Sequence, residues 1–446
     1  LFSWRTQVSR YQWIVLLVAW LGWVFDSMDG TLYSLVQKPS MAELLGSGAS
    51  EAIIGQYSGY VFAVTLIGWA TGGVAFGVVA DYLGRTKALV ATILLYSLFT
   101  GLSAVAQSWE QLAVYRFITG LGLGGEWAAG AALVAEVWPD HLRAKAGAIL
   151  QSAAALGYFL AALINLWVGA ASWRYVYLIG ALPAVFVLFI RMAVKEPERW
   201  VAAKAQRQAQ RQAVAAAGAG AILTAHSGAV PEEETEDAGF TLGQLFSPSL
   251  RRDTLVAAAL AFVALFALWG ATMWIPSAVR EVLGPRRLSP AELNRYVSYA
   301  VMILNAGALF GYLAFGPLAD RLGRKATFLL YLIGGVVLFP ITFLVSQDYT
   351  WIMTLLPALG FFTLGITSGF PIYLPELFPT RVRATGVGFC YNFGRYIAAS
   401  GPFIAGYLVA WSGGSYTKAA SAISLIYIVG MLVLLFARET KGQQLV

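Results

Sequence analysis

The chain has 446 residues, 59% hydrophobic and 12% charged, with 30 Lys and Arg against 23 Asp and Glu. Soluble domains carry about 25% charged residues, so this composition excludes an ordinary soluble protein and predicts an integral membrane one. A single cysteine, Cys390, and two histidines rule out a disulfide framework and a thiolate metal centre, and the basic residues sit in short loops rather than in a patch suited to nucleic acid.

A membrane-crossing helix needs about 20 mainly apolar residues, and twelve such spans are expected, six on each side of a polar middle segment. No secretory signal is seen, and because position 1 is Leu the native start is expected upstream. The first span, about Tyr11–Val36, carries FDSMDG with Asp26 and Asp29 near its middle, before a loop with Lys38, Pro39 and Gly46–Gly48. Asp26 and Asp29 lie one helical turn apart. Two such carboxylates do not both ionise cheaply away from water, so one is expected to hold a proton. They read either as a proton-coupling pair or as hydrated structural groups in the outer mouth.

The second span, about Glu51–Val79, leads into GVVADYLGRTK (Gly77–Lys87), and the third, about Lys87–Ala106, is apolar. The fourth, about Gln111–Val137, is the most polar, with Arg116, then Gly120, Gly122, Gly124 and Gly125, then Glu126. Arg116 and Glu126 are about 15 Å apart along the axis, too far to pair, so each needs a partner elsewhere. The glycines suit close helix packing. The fifth span, about Arg143–Gly169, holds Gln151 and Asn165, and the sixth runs from about Trp173 to Val194. Residues 195–250 open with KEPERW, continue as an Ala/Gln/Arg stretch expected to be helical, and include an acidic run at Glu232–Asp237. This segment reads as a solvated linker without a catalytic motif.

The second half repeats the plan with spans at about Asp253–Val282, broken by Pro276, then Ala291–Ala319, Lys325–Val345, Tyr349–Leu377, Arg383–Trp411 and Tyr416–Ala437. Proline and glycine inside spans make bending points where neighbours re-satisfy the backbone. Arg395 lies in FCYNFGRYIAASGP with no carboxylate in its own span. Its planar, permanently charged fork suits a carboxylate. It is therefore the leading substrate-binding candidate, with Asn392 and Tyr396 beside it. The alternative is an ion pair with an aspartate of the first half. Gln151, Asn165 and Asn305 either tie helices together or touch substrate. Trp20, Trp23, Tyr57, Tyr60, Trp269, Trp274, Tyr373 and Tyr391 are candidate cavity walls.

The two halves are related. Gly77–Lys87 returns as GPLADRLGRK (Gly316–Lys325), with Asp81 and Asp320, Gly84 and Gly323, Arg85 and Arg324 each 239 residues apart. EVWPDHLR (Glu136–Arg143) returns as ELFPTRVR (Glu376–Arg383) 240 residues on. Two motifs repeating in order at one offset indicate duplicated halves, a transporter construction. The expected fold is an all-α polytopic membrane protein of twelve transmembrane helices in two pseudo-symmetric six-helix bundles, residues 1–194 and 251–446, joined by the linker 195–250. With both termini cytoplasmic, that side collects 21 of the 30 Lys and Arg, as the positive-inside rule requires.

The paired G-x-x-x-D-x-x-G-R motifs and the two sixes of spans resemble the major facilitator superfamily over essentially the whole chain. Arg116-x-x-x-Gly120-x-Gly122 is similar to that superfamily's fourth-helix motif. Glu136 to Arg143, Gln151, KEPERW, Pro375–Arg383 and RETKG (Arg438–Gly442) resemble the branch of sugar porters, organic-ion transporters and metabolite:proton symporters. FDSMDG with GLGGEW is most similar to sialate, lactate and aromatic-acid:proton symporters. In organic-ion transporters an eleventh-helix position is Arg in anion carriers and Asp in cation carriers; the register Arg383, Thr385, Gly386, Arg395, Pro402 places arginine there. The Gly-Pro motif of drug:proton antiporters is missing from the fifth span.

The resemblance implies a secondary transporter of the plasma membrane, not an enzyme, expected to be monomeric and to need no cofactor beyond protons as coupling ion. Its expected substrate is a small organic anion, a monocarboxylate such as lactate, with a sugar or polyol as alternative and a non-transporting receptor behind that. In the superfamily's packing the fourth helix lies beside the first, so Arg116 is expected to face Asp26 or Asp29, as a tuning group or as a fixed pair, with Glu126 a second proton site. Asp81, Arg85, Glu136, Arg143, Asp320, Arg324, Glu376 and Arg383 are expected to form the pairs that hold the inner gate shut.

Overall fold

A computed structural model describes residues 7–46, 48–164, 167–168, 172–183, 185–186, 190, 193–221, 240–270, 272, 275–286, 288–346, 348–398, 408, 411–413 and 415–445. Asn165, Trp274, Pro402 and the acidic run 232–237 lie outside them, as does the side chain of Trp269. The protein is an all-α polytopic membrane protein of two pseudo-symmetric halves. Among the described residues, eight helical stretches are long and apolar enough to cross a membrane.

The first half comprises α1 (Arg10–Leu45), α2 (Glu51–Leu83), α3 (Arg85–Ser103), α4 (Trp109–Val137), α5 (Arg143–Ile164) and α6 (Trp173–Gly180). A capping box of Ser9 and Gln12 starts α1. That helix does not end near Val36 as expected. It runs through Pro39 to Leu45 and stops at Gly46, where φ is 84°. Its extension is anchored at Glu43, whose carboxylate accepts from Trp173 Nε1 at 2.7 Å and Arg174 Nη2 at 2.8 Å. The middle segment contains α7 (Glu198–Ala221), the helix expected there. It is bound rather than merely solvated: Trp200 Nε1 donates to the Asp81 carbonyl at 3.0 Å, and Arg207 donates to the carbonyls of Asp81 and Arg381.

The second half follows with α8 (Arg251–Gly270), α9 (Ile275–Leu283), α10 (Pro290–Leu322), α11 (Arg324–Leu344), α12 (Tyr349–Thr363), α13 (Phe370–Leu377), α14 (Arg383–Ala398), α15 (Tyr416–Ile423) and α16 (Ile426–Phe436). The expected seventh span contains α8 and α9, with Pro276 as the second residue of α9. The expected tenth span is interrupted by a 3-10 segment, Gly365–Gly369, ahead of Pro371. Such a mid-helix tightening marks a place where the helix can hinge.

Small residues set the packing within each half. A Cβ on Gly68 or Gly72 of α2 would fall 2.2 and 1.9 Å from the carbonyls of Phe117 and Leu121 in α4; Gly307 and Gly311 of α10 meet Pro357 and Phe361 of α12 at 2.0 and 2.2 Å. The paired glycines sit 239 residues apart, the spacing of the charged motif. Between halves, Gly73 and Gly77 of α2 seat α14, while Gly316 of α10 seats α5.

Candidate functional site

The halves enclose a cavity of about 440 Å³, lined from the first half by Trp23, Ser27 and Thr31 of α1, Phe62 and Trp69 of α2, and Gln151 and Tyr158 of α5. The second half contributes residues of α8, α9 and α10, Thr367 of the 3-10 segment, and Tyr391 and Arg395 of α14. A volume of several hundred Å³ walled by apolar and aromatic groups with few polar ones is typical of small-molecule sites.

Arg395 is buried and lines this cavity. Its guanidinium lies between two rings, 4.4 Å from the Trp69 centroid and 5.0 Å from that of Tyr391. Both rings lie within cation–π range, and such π-systems favour a cation. Nη1 donates to Asn392 Oδ1, while Nε has no hydrogen-bond partner. No ion pair to Arg395 closes among the described residues.

Gln151 and Asn305 line the cavity, as does Tyr391. Gln151 Nε2 donates across the interface to Thr367 Oγ1 at 3.2 Å and its Oε1 is unpartnered; Asn305 Nδ2 donates back to the Val301 carbonyl. Asn392 and Tyr396 do not line it, which corrects the expectation that both flank the site. Asn392 is buried against Gly73 and orients Arg395, and Tyr396 points outward to Thr71, its hydroxyl 2.9 Å from Thr71 Oγ1. Positions 392 and 396 each fall about 100° round the helix, in the same direction, from Tyr391 and Arg395, which turn to the cavity.

Asp26, Asp29, Arg116 and Glu126 separate into two sets. Asp29 Oδ2 pairs with Arg116 Nη2 at 3.1 Å, its Oδ1 accepts from Thr100 at 2.6 Å, and Arg116 lies 5.7 and 5.5 Å from the rings of Tyr33 and Tyr177. That unit lies wholly in the first half and does not line the cavity. Asp26 and Glu126 are as deeply buried, and among the described residues no hydrogen bond closes on their four carboxylate oxygens, although the Tyr96 hydroxyl is turned to Glu126.

At the end bearing the repeated motifs the halves are locked together. Arg85 pairs with Asp81 at 2.9 Å and Glu136 at 2.8 Å, and Glu136 also receives Arg383 of the other half at 3.0 Å. The mirror set joins Arg324 to Glu376 at 2.7 Å, with Arg143 crossing over to Glu376 at 3.2 Å. Asp81 further accepts the backbone amides of Ala384 and Thr385 at the start of α14. Asp320 makes no such cap; Lys145 stands at the position matching Thr385, and Asp320 pairs with it at 3.8 Å and with Arg324 at 3.6 Å. This lattice joins the two halves at the motif end, and none of its charged residues lines the cavity.

Several members of the lattice escaped sequence reasoning, among them Lys145 and Asp140, which pairs with Arg143. Glu196 accepts the amides of Thr86 and Lys87, and Glu439 accepts those of Arg324 and Lys325, so each motif helix begins on a carboxylate. The signal was present: KEPE and RETK each place a glutamate after a basic residue, 243 residues apart. Of the eight proposed cavity aromatics, Trp23 and Tyr391 line it; Phe62, Trp69, Tyr158 and Tyr312 also do, with nothing in the sequence to distinguish them from other aromatics. Trp20 hydrogen-bonds Ser152, Tyr57 packs on Trp109, Tyr60 is exposed, and Tyr373 donates to the Arg438 carbonyl at the motif end.

Residues 14–446 match the family model described as "Sugar (and other) transporter". The chain is 31% identical to a putative metabolite transport protein of Haemophilus influenzae, covering 98% of this chain and 99% of that one. It is also 31% identical to the sialic acid transporter NanX of Escherichia coli K12, over 96% of each. The solved structure of the proton:xylose symporter XylE, 19% identical, shares the fold with a TM-score of 0.74 over 98% of both chains. A duplicated all-helical membrane fold, a central cavity and a full-length family match agree: the chain belongs to the sugar (and other) transporter family of the major facilitator superfamily, a group of secondary transporters.

Proposed function

We propose that the protein imports a small organic anion, most readily a monocarboxylate such as lactate, together with protons by alternating access across the plasma membrane. The observation that carries this reading is Arg395, a buried cation that lines the cavity and forms no ion pair among the described residues. A bound carboxylate would complete it by charge-assisted hydrogen bonds. NanX, by its name, carries a sugar acid. The bound anion at Arg395 and a proton on a first-half acid neutralise the cavity together, so the loaded carrier reorients and the half-loaded one does not. Residues 1–194 and 251–446 rock about the site as a monomer, with 195–250 as the linker and both termini in the cytoplasm. The motif lattice is then the inner gate, drawn shut, and the cavity faces outward.

Uptake of labelled lactate, benzoate, sialate and glucose into proteoliposomes, with an inward proton gradient imposed or collapsed, tests this reading. Gradient-dependent accumulation of one acid is expected, and uptake indifferent to the gradient sinks it. The second reading, a sugar or polyol carrier, is favoured by Gln151 in the cavity and by the family description. Arg395→Ala separates them, because a neutral sugar does not need the guanidinium.

A further inference from the structure

Trp69, Gly73, Gly77 and Asp81 of α2 follow one another at four-residue intervals, on one slowly turning stripe, and meet α14 of the other half. Asp81 accepts the amides of Ala384 and Thr385 at 3.2 and 2.8 Å. A Cβ at Gly77 would fall 2.6 Å from the Ala384 carbonyl, and one at Gly388 would fall 2.1 Å from the carbonyl of Gly73. A Cβ at Gly73 would fall 1.9 Å from Asn392 Nδ2, so the Asn392 side chain occupies the space that this glycine leaves. Seated there, Asn392 donates to the Gly388 carbonyl at 2.9 Å and accepts from Arg395 Nη1. The stripe ends at Trp69, with its ring centroid 4.4 Å from the Arg395 guanidinium. Neither Gly73 nor Asn392 lines the cavity. The aspartate of the motif lattice and the ring on the cavity cation thus share one helix, about 18 Å apart along its axis. The matching seam is built differently. The counterparts of Trp69 and Gly73, 239 residues on, are Ala308 and Tyr312 of α10, and those of Asn392 and Arg395, 240 residues back, are Ser152 and Ala155 of α5. None of the four is a cation.

We infer that Gly73, acting through Asn392, positions Arg395 for anion binding only while α2 and α14 are in contact, so that the carrier binds its acid more tightly through the face opposite the motifs than through the motif face. With the motif end drawn shut, Asn392 holds the guanidinium and Trp69 covers it, and a group already fixed in its binding geometry loses little freedom when the anion arrives. When the halves rock apart at that end, α2 withdraws from α14. Asn392 then loses its seat, Arg395 regains its rotamers, and the anion is released toward the motifs. By linkage, a bound anion favours the contact of α2 with α14 to the same degree. Gly73 and Asn392 are positioning residues, since neither reaches the cavity. The inference rests on the alternating-access, organic-anion reading above and deepens it by naming what makes the site differ between the two faces.

Membrane vesicles of both orientations, from cells making the full-length protein, take up labelled benzoate, lactate or sialate through one face or the other. For an acid that is carried, Gly73→Ala and Asn392→Ala are each expected to raise the half-saturating concentration through the far face roughly tenfold, the scale of one net hydrogen bond. Through the motif face it should stay unchanged. Trp69→Phe, which keeps a ring on the guanidinium, should retain most of the far-face affinity that Trp69→Leu loses. Asn392→Asp, which gives Arg395 a fixed carboxylate, should abolish saturable uptake through both faces. Equal losses through the two faces in Gly73→Ala and Asn392→Ala, or no loss through either, overturn the proposal. The seat is also read without substrate: Asn392→Ala added to Gly73→Ala should recover most of the thermal-unfolding midpoint that Gly73→Ala alone loses, and strictly additive shifts overturn the proposal. If none of the three acids is carried, the organic-anion reading fails while the midpoints still judge the seat.

Discussion

Arg395 and Arg116 are both buried guanidiniums, and their partners separate them: Arg116 has a carboxylate at 3.1 Å, while Arg395 has two aromatic faces and a side-chain amide. Breaking a buried pair strands a charge at a cost of about 3–5 kcal/mol, so Asp29→Ala should markedly lower the unfolding midpoint in a thermal-shift assay. Arg395→Ala should instead spare the midpoint and weaken the transported acid's apparent affinity roughly 10- to 100-fold, the scale of a lost charged hydrogen bond; saturation kinetics read this directly. Burial pushes the Glu439 carboxyl up, but amides of Arg324, Lys325, Lys441 and Thr440 outweigh it and hold the group below its ordinary value of 4.5. A depressed folded-state value contributes stability above 4.5 that is lost as pH falls through the folded value. Glu439→Gln lacks that contribution at every pH, so its acid unfolding monitored by circular dichroism should move to higher pH. Sequence reasoning found the arginines and carboxylates of the repeated motifs but missed Asp140, Lys145, Glu196 and Glu439. It left open which aspartate Arg116 meets, because Asp26 and Asp29 differ by one turn and only the rotation of α1 decides between them.

At the scale of elements, the interlocking glycines fix how closely α2 meets α4 and α10 meets α12. Gly72→Ala and Gly311→Ala each drive a methyl into a carbonyl, at 1.9 and 2.2 Å. Overpacking of this kind costs about 1–3 kcal/mol, and because these contacts are backbone the neighbours have little room to yield. Both variants should lose yield of monodisperse protein on size-exclusion chromatography, whereas Gly55→Ala, which meets nothing, should not. Helix existence was legible from apolar runs. The extension of α1 past Pro39 was not, because proline and lysine read as a loop until Arg174 and Trp173 arrive from a distant element to hold Glu43. The docking of α7 was hidden for the same reason: its anchors, Trp200 and Arg207, look like ordinary linker residues until Asp81 and Arg381 come beneath them.

Across the whole molecule, Glu136 and Glu376 each bind one arginine of their own half and one of the other. Spin labels at Lys87→Cys and Arg321→Cys, in a Cys390→Ala background, should report a longer distance by pulsed electron resonance once Glu136→Gln and Glu376→Gln are added. An unchanged distance would mean that packing alone keeps the motif end closed. The duplicated motifs revealed this two-fold plan before any coordinates, but its imperfection needed them. At one seam Asp81 is fully buried and grips the amides of α14; at the other, Lys145 and Asp320 face each other at 3.8 Å with 28% and 27% of their side chains exposed. Mobile ions screen exposed charges over about 8 Å at physiological ionic strength and hardly reach buried ones. Salt added on the motif side should therefore soften the Lys145–Asp320 seam and leave the Asp81 seam intact, so that this carrier feels the ionic medium through only one of its two hinges.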